Sequence, residues 1–388
     1  AQVIRWLERP GLPPEMASPS GAAAPRLSNF QRVNGEFMRS VGEAVYSTPR
    51  MDVFDSDPKC VERRLLLIEE ELAELEAAVN AKDMVETIDA LGDILYVVYG
   101  TGGAFGIDLD HAFDLVHRSN MSKLCTTEEE ARETVEWYKK NYTPGGKYPY
   151  DTPEYRRAPD GKRFVVLNAS TGKILKSVNY SPVKFDTILS AGKACAESAT
   201  RETFGASSLI DAAAGATTNF RKVTEEFMRG FGEEVAYAPR MDVFESDPKT
   251  VNLRLSLIRE EVRELVEAVQ AKDMVETIDA MADILYVVYG TGGAFGIDLD
   301  RAFCLIHESN MSKLCASEEE ARHTVEWYNE SCLVNGKRRY DSPDYKLGPD
   351  GRYVVFNAST NKTLKSVHYS PVKFDSMLPV WQPANAGA

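Results

Sequence analysis

The pattern Glu-Glu-x-x-Glu, a short turn, then Glu-x-x-Asp-x-x-x-Asp occurs twice in this chain. It comes first as Glu70, Glu71, Glu74, Glu86, Asp89 and Asp93, then as Glu260, Glu261, Glu264, Glu276, Asp279 and Asp283, a constant shift of 190 residues. Six carboxylates brought together by two adjacent helices repel one another strongly unless a cation sits among them. Oxygen donors with no His or Cys nearby suit a hard cation, Mg2+ or Mn2+. The chain therefore reads as carrying two metal sites. The competing reading is a solvated acidic helix face, which a lone Glu-Glu-x-x-Glu favours. Ile94 and Val97 border the second set of acids, and no Lys stands four residues after Glu86 or Asp89, which tips the balance to metal.

The spacing explains how the acids meet. At 100° per residue, Glu86, Asp89 and Asp93 share an arc of roughly 60°, opposite a stripe of Met84, Ile88, Leu91, Leu95 and Val98. Glu70, Glu71 and Glu74 span roughly 100° on the preceding helix, where Leu65, Ile68, Leu72, Leu75 and Val79 face away. A turn at Ala81–Asp83 makes the two helices antiparallel neighbours. Glu74 and Asp89 both lie about 10–12 Å from that turn and stand level, with Glu71 and Asp93 in the next layer.

The remaining elements follow from local signals. Asn29–Val45 has a helical composition, and Asp57-Pro58 and Asp247-Pro248 open the first acidic helix of each copy with a cap and a proline at the first position. That helix runs to about Asn80 and the next spans Met84 to about Tyr99, where Gly100, Gly102, Gly103 and Gly106 blur its end. A helix over Leu109–Ser119 follows, and Thr127-x-x-Glu130 and Ser317-x-x-Glu320 are capping boxes for one more. Arg163–Leu167 with Lys173–Ser177, and Tyr353–Phe356 with Lys362–Ser366, read as β-hairpins. The fold class is mainly α: two tandem helical bundles, each with a small carboxyl-terminal hairpin.

The domains expected are an extension at 1–26, a first copy at 27–186, an Ala/Ser-rich linker at 187–216, a second copy at 217–376 and a tail at 377–388. Residues 81–110 and 271–300 differ at only two positions, as a recent duplication would leave them. A net charge of −14 argues against nucleic acid or an anionic membrane as the main partner, and the apolar run Ile94–Val98 is far too short to span a bilayer. Six cysteines without a C-x-x-C pair point to a reducing compartment, cytoplasm or an organelle matrix. Arg5, Arg9 and Arg26 fit a mitochondrial or plastid targeting remnant, whereas Glu8 and Glu15 fit a plain extension equally well.

Together these residues resemble the all-α nucleoside triphosphate pyrophosphohydrolases, the MazG-like group that includes phosphoribosyl-ATP pyrophosphohydrolase. The resemblance rests on the two acid motifs and on Asp93-Ile-Leu-Tyr-Val-Val-Tyr-Gly-Thr, Val116-His-Arg-Ser-Asn-Met-Ser-Lys-Leu124 and Lys173-Ile-Leu-Lys-Ser-Val-Asn-Tyr-Ser-Pro182, and it covers both repeats. It implies Mg2+-dependent hydrolysis of a nucleoside triphosphate to monophosphate and pyrophosphate. It also implies that Glu71 and Glu74, with Glu261 and Glu264, are the catalytic acids and ligands of the first motif. The second motif is Glu86 with Asp89, or Asp89 with Asp93, because the family's usual register would put its Glu at Ala90. Asn120 and Lys123, with Asn310 and Lys313, are candidates for phosphate contact, and Lys176 and Lys365 could close over the nucleotide from the hairpins. Trp137 and Trp327 read as core residues in preference to base-stacking ones, and His117 and His307 as structural. Because such sites usually need a partner subunit, the two copies are expected to form an intrachain pseudo-dimer, alone or within a larger oligomer. The competing functions are a non-catalytic, nucleotide-binding or regulatory subunit of a larger assembly, and a plain acidic interaction module.

Overall fold

The computed structural model describes residues 30–194, 219–330, 333–334, 337–338 and 340–378. The expected extension at 1–26, most of the linker and nearly all of the tail lie outside the described residues. In the first copy α1 (Phe30–Ser40), α2 (Val53–Ser56), α3 (Pro58–Ala81), α4 (Met84–Phe105), α5 (Leu109–Met121) and α6 (Glu128–Lys140) come first. An antiparallel sheet of β1 (Pro153–Arg157), β2 (Phe164–Asn168) and β3 (Lys173–Leu175) follows, then α7 (Asp186–Ala194). The second copy repeats the helices as α8 (Asn219–Phe231), α9 (Val243–Ser246), α10 (Pro248–Gln270), α11 (Met274–Phe295), α12 (Leu299–Met311) and α13 (Glu318–Glu330). A two-stranded ribbon of β4 (Leu333–Val334) and β5 (Lys337–Arg338) precedes its sheet of β6 (Pro343–Leu347), β7 (Tyr353–Asn357) and β8 (Lys362–Thr363).

The hinge between the two acidic helices is built as its sequence requires. Lys82 takes the left-handed conformation at φ 59°, and the Asp83 carboxylate accepts the Val85 and Glu86 backbone N–H groups, capping α4. At the start of α3 the Asp57 side chain accepts the Cys60 N–H beside Pro58. The capping box of α6 also forms: Thr127 Oγ1 accepts from the Glu130 N–H, and the Glu130 carboxylate accepts from Thr126 N. Glu130 further binds the Ser177 hydroxyl, which ties the chain after β3 to the helix.

Several elements differ from expectation. The first helix stops at Ser40, short of Val45, because Gly42 at φ 87° turns the chain and the Glu43 N–H returns to the Met38 carbonyl. The helix expected to fade near Tyr99 continues through three glycines to Phe105. Those glycines admit close neighbours: side chains there would meet Arg64, Leu109 and Met38. It ends at Gly106, φ 74°, where a Cβ would lie 1.9 Å from the Thr48 carbonyl oxygen. Each hairpin gains an outer strand, β1 or β6, paired along all five of its residues. The last strands are shorter than expected, and α7 occupies the first part of the expected linker.

The two copies share one hydrophobic core, which runs from Phe30 through both bundles to Phe374, while each sheet packs on α6 or α13 in a small cluster of its own. Phe303 of the second copy stacks on Phe30 at 4.2 Å and contacts Tyr96 and Tyr99; Phe113 of the first copy meets Phe220, Tyr286 and Tyr289 in the same way. Phe113 and Phe303 are fully buried, and each contributes about 1.5–3 kcal/mol by leaving water. The pairing is tight at Gly92, where an added Cβ would stand 2.3 Å from Ile306 Cδ1. The second copy has Ala282 at the position of Gly92, and the first has Val116 at the position of Ile306. The larger partner faces the smaller one at each equivalent place. The repeats thus form an intrachain pseudo-dimer. No single helix among the described residues is long and apolar enough to cross a membrane.

Candidate active site

Antiparallel packing of α3 on α4 brings the first set of acids to one wall of a cavity of about 350 Å³. Glu71, Asp89 and Asp93 line that wall, with Asn34, Phe37 and Val41 of α1 nearby. The opposite wall comes from the other repeat: Ser309, Asn310 and Lys313 at the end of α12, and Tyr369 after its sheet. The same crossing operates in reverse. Asn120 and Lys123 of the first copy line a cavity of about 60 Å³ with Asp283, Tyr286 and Arg254 of the second. Each copy's asparagine and lysine therefore serve the carboxylates of the other copy, an arrangement that the sequence did not reveal.

Each lysine is held by its own segment and pulled by the opposite acids. Lys313 Nζ donates to Asn310 Oδ1 at 2.6 Å, and Lys123 Nζ to Asn120 Oδ1 at 2.6 Å. Burial pushes the Lys123 ammonium down to about 8 against the attraction of Asp283, and Lys313 is lowered by burial against Tyr369, Asp93 and Glu71. Lys176 and Lys365 lie over the rings of Tyr180 and Tyr369, 4.3 and 4.1 Å from their centroids, beside Lys123 and Lys313 respectively.

The acids are stressed in the complementary sense. Burial, then repulsion from Glu74 and Asp89, raises Glu71 to about 7; burial and Glu86 raise Asp89 to about 6. Asp93 is pushed well above the carboxylate range by burial and by Glu71. In the second copy burial and Asp283 raise Glu261 strongly, and Glu264 rises for similar reasons. Glu71 Oε2 and both Glu261 carboxylate oxygens are buried without a hydrogen-bond partner. Orphaned oxygens and an all-oxygen donor set fit a hard cation. As the side chains stand, no group of three or more His, Cys, Asp or Glu among the described residues is arranged to hold one.

The residues expected at the site are thus divided. Glu70, Glu74 and Glu86 are exposed, with Glu74 and Glu86 acting on Glu71 and Asp89 through charge; Glu260, Glu264, Glu276 and Asp279 are half-buried and line neither cavity. Of the two registers open for the second motif, the one containing Asp89 and Asp93 lines the larger cavity. Of the tryptophans, Trp137 packs half-buried against the small core cluster beside Tyr138 and Tyr148, as expected, whereas Trp327 is 44% exposed and its neighbour Tyr328 is the buried aromatic. His307 bonds to Tyr96 Oη and His117 to Tyr286 Oη, each at 3.1 Å across the two copies.

Sequence reasoning missed Asn34. It is buried in the cavity lining, its Nδ2 donates to the Tyr96 carbonyl at 2.9 Å, and its Oδ1 has no partner. A polar residue inside an amphipathic helix carries no spacing signal that would have singled it out.

The family profile of phosphoribosyl-ATP pyrophosphohydrolase matches residues 35–120 and 224–310, from α1 to the end of α5 and from α8 to the end of α12. The chain is also similar to the uncharacterized protein L479 of Acanthamoeba polyphaga mimivirus, 33% identical over 42% of this chain and 96% of that protein. This chain belongs to the phosphoribosyl-ATP pyrophosphohydrolase family. No solved structure matches it. Both family segments contain a full set of acids and end at Asn120 or Asn310, so Lys123, Lys313 and the two sheets lie beyond the matched regions.

Proposed function

We propose that the chain hydrolyses a nucleoside triphosphate to the monophosphate and pyrophosphate, with Mg2+ or Mn2+ bound by its carboxylates. The observation that carries this reading is the cavity in which Glu71, Asp89 and Asp93 of one copy face Asn310 and Lys313 of the other. A cation-binding wall opposite an ammonium and an amide suits a metal–triphosphate pair. Glu71, Asp89 and Asp93 would hold the ion, with Glu74 beside them. When bound, it neutralises the triphosphate and makes the attacking water more acidic. Glu71 would take that water's proton on a carboxylate oxygen that the ion does not engage. Lys313, anchored on Asn310, directs its remaining N–H groups to phosphate oxygens, and exposed Lys365 adds a second positive charge close by.

Pyrophosphate release from a panel of ribo- and deoxyribonucleoside triphosphates tests the proposal. Turnover is expected with Mg2+ or Mn2+ and not with EDTA, and Glu71→Gln with Glu261→Gln should abolish it. Turnover untouched by both substitutions would sink the assignment. Tight triphosphate binding with no turnover would favour the nucleotide-binding subunit instead.

A further inference from the structure

The two composite sites are not equally open, and two adjacent residues differ beside them. Ser40 ends α1 and Val41 follows it, whereas Gly230-Phe231 ends α8 at the equivalent positions. In the first copy Val41 and half-buried Phe37 line the cavity of about 350 Å³, and Lys313 stands 6.0 Å from the Phe37 ring. In the second copy Phe231 packs against Phe227 with ring centroids 4.5 Å apart and tilted by 52°, and Phe227 is 8% exposed. Gly230 lets that helix end approach the other repeat: a Cβ there would come within 3.1 Å of Leu124 Cδ1, next to Lys123. The consequence reaches the catalytic groups. Lys123, Asn120 and Glu261 are all buried, while Lys313, Asn310 and Glu71 keep access to the cavity. Among the described residues, the cavity that Lys123 and Asp283 line is about 60 Å³, and neither Glu261 nor Asp279 lines it. Pockets that take a nucleotide-sized ligand run to about 300–1,000 Å³.

Resting on the triphosphatase reading above, we infer that the chain accepts one nucleotide, at the carboxylates of the first copy, and that Gly230-Phe231 closes the other site. Both copies keep every acid, so the inequality is set at the pocket wall and not by loss of the reacting groups. The closed site holds its charged groups against the shared core.

The test is equilibrium titration with the four α,β-methylene deoxynucleoside triphosphates in Mg2+, because these resist cleavage at the bond in question. One equivalent should bind per chain, and Lys313→Met should abolish or weaken it at least tenfold. Converting the second copy to the first with Gly230→Ser and Phe231→Val should raise the stoichiometry to two. The reciprocal pair, Ser40→Gly and Val41→Phe, should reduce it to zero and guards against misfolding of the first variant. Two equivalent sites in the unaltered chain, or a single site insensitive to Lys313→Met, would overturn the inference and leave the triphosphatase reading standing. An opened variant that folds and still binds one equivalent would remove the role of Phe231. No binding of any analogue would instead count against the triphosphatase reading itself.

Discussion

The site at the first copy's acids and the site at the second copy's acids carry the same six carboxylates, yet they differ in what surrounds them. Glu71 is half-buried beside a cavity of about 350 Å³; Glu261 is fully buried, and the nearby cavity is about 60 Å³. The second acidic helix is nearly identical in the two copies, since residues 81–110 and 271–300 differ only at Leu91/Met281 and Gly92/Ala282, whereas the first differs at several positions, among them Arg63/Leu253 and Leu72/Val262. The contrast therefore arises outside α4 and α11, in α3 and α10 and in what packs against them. A duplicated active site can diverge while its catalytic residues stay fixed, because access depends on neighbouring bulk that a motif does not record.

The comparison can be broken most forcefully at the acids. Glu71→Gln is expected to lower kcat/KM for pyrophosphate release by about 10²–10⁴-fold, the range for losing a general base, and Glu261→Gln to cost far less. Equal losses at the two positions would mean that both sites turn over.

The next largest effect concerns the pairing of the copies. Gly92→Ala places a methyl against Ile306 and should destabilise the fold by about 1–3 kcal/mol in denaturant unfolding. Adding Ile306→Val should recover most of that loss, since it recreates the Ala/Val combination of the other half. Failure of this rescue would show that the size exchange between the halves does not matter for packing.

Metal-free stability should depend on pH in a defined direction. Glu71 is raised from 4.5 to about 7 and Asp89 from 3.8 to about 6, so the folded chain binds these protons more tightly than the unfolded chain does. Below the unfolded values of 3.8 and 4.5 both states are protonated and the stability from these groups is fully present. As pH rises toward about 7 the unfolded chain has released protons that the folded chain still holds, and that stability is lost. Thermal unfolding at pH 5 and pH 8 should show this fall, and Mg2+ should reduce it. A rise in metal-free stability over that interval would contradict the burial assigned to these acids.

The smallest effect is expected at the surface contact between the copies. Lys82 and Glu245 form an ion pair of 2.9 Å with both side chains more than half exposed, so Lys82→Ala should cost no more than about 1 kcal/mol.

Much of the fold was legible because it rests on local rules. Asp57-Pro58, Asp83 and Thr127 each cap a helix as their chemistry dictates, and the alternation of acids with Ile88, Leu91 and Leu95 defines two faces of α4. The extension of α4 through Gly100, Gly102 and Gly103 was hidden, since the reason for those glycines is the crowding of Arg64, Leu109 and Met38 around the backbone. The crossing of the repeats was hidden for a similar reason. Lys313 lies 220 residues from Asp93 in the chain, and no periodicity connects positions so far apart. One clue was available: Phe113 and Val116 continue an apolar stripe on α5, and the structure buries them in the core that the two copies share.

The central claim is that the acids of the first copy work with the lysine of the second. A double-mutant cycle on kcat/KM tests it, pairing Asp93→Asn with Lys313→Met and, separately, with Lys123→Met. The structure leads us to expect strong non-additivity for Asp93 with Lys313 and simple additivity for Asp93 with Lys123. Coupling within the first copy, with Asp93 and Lys313 additive, would contradict it.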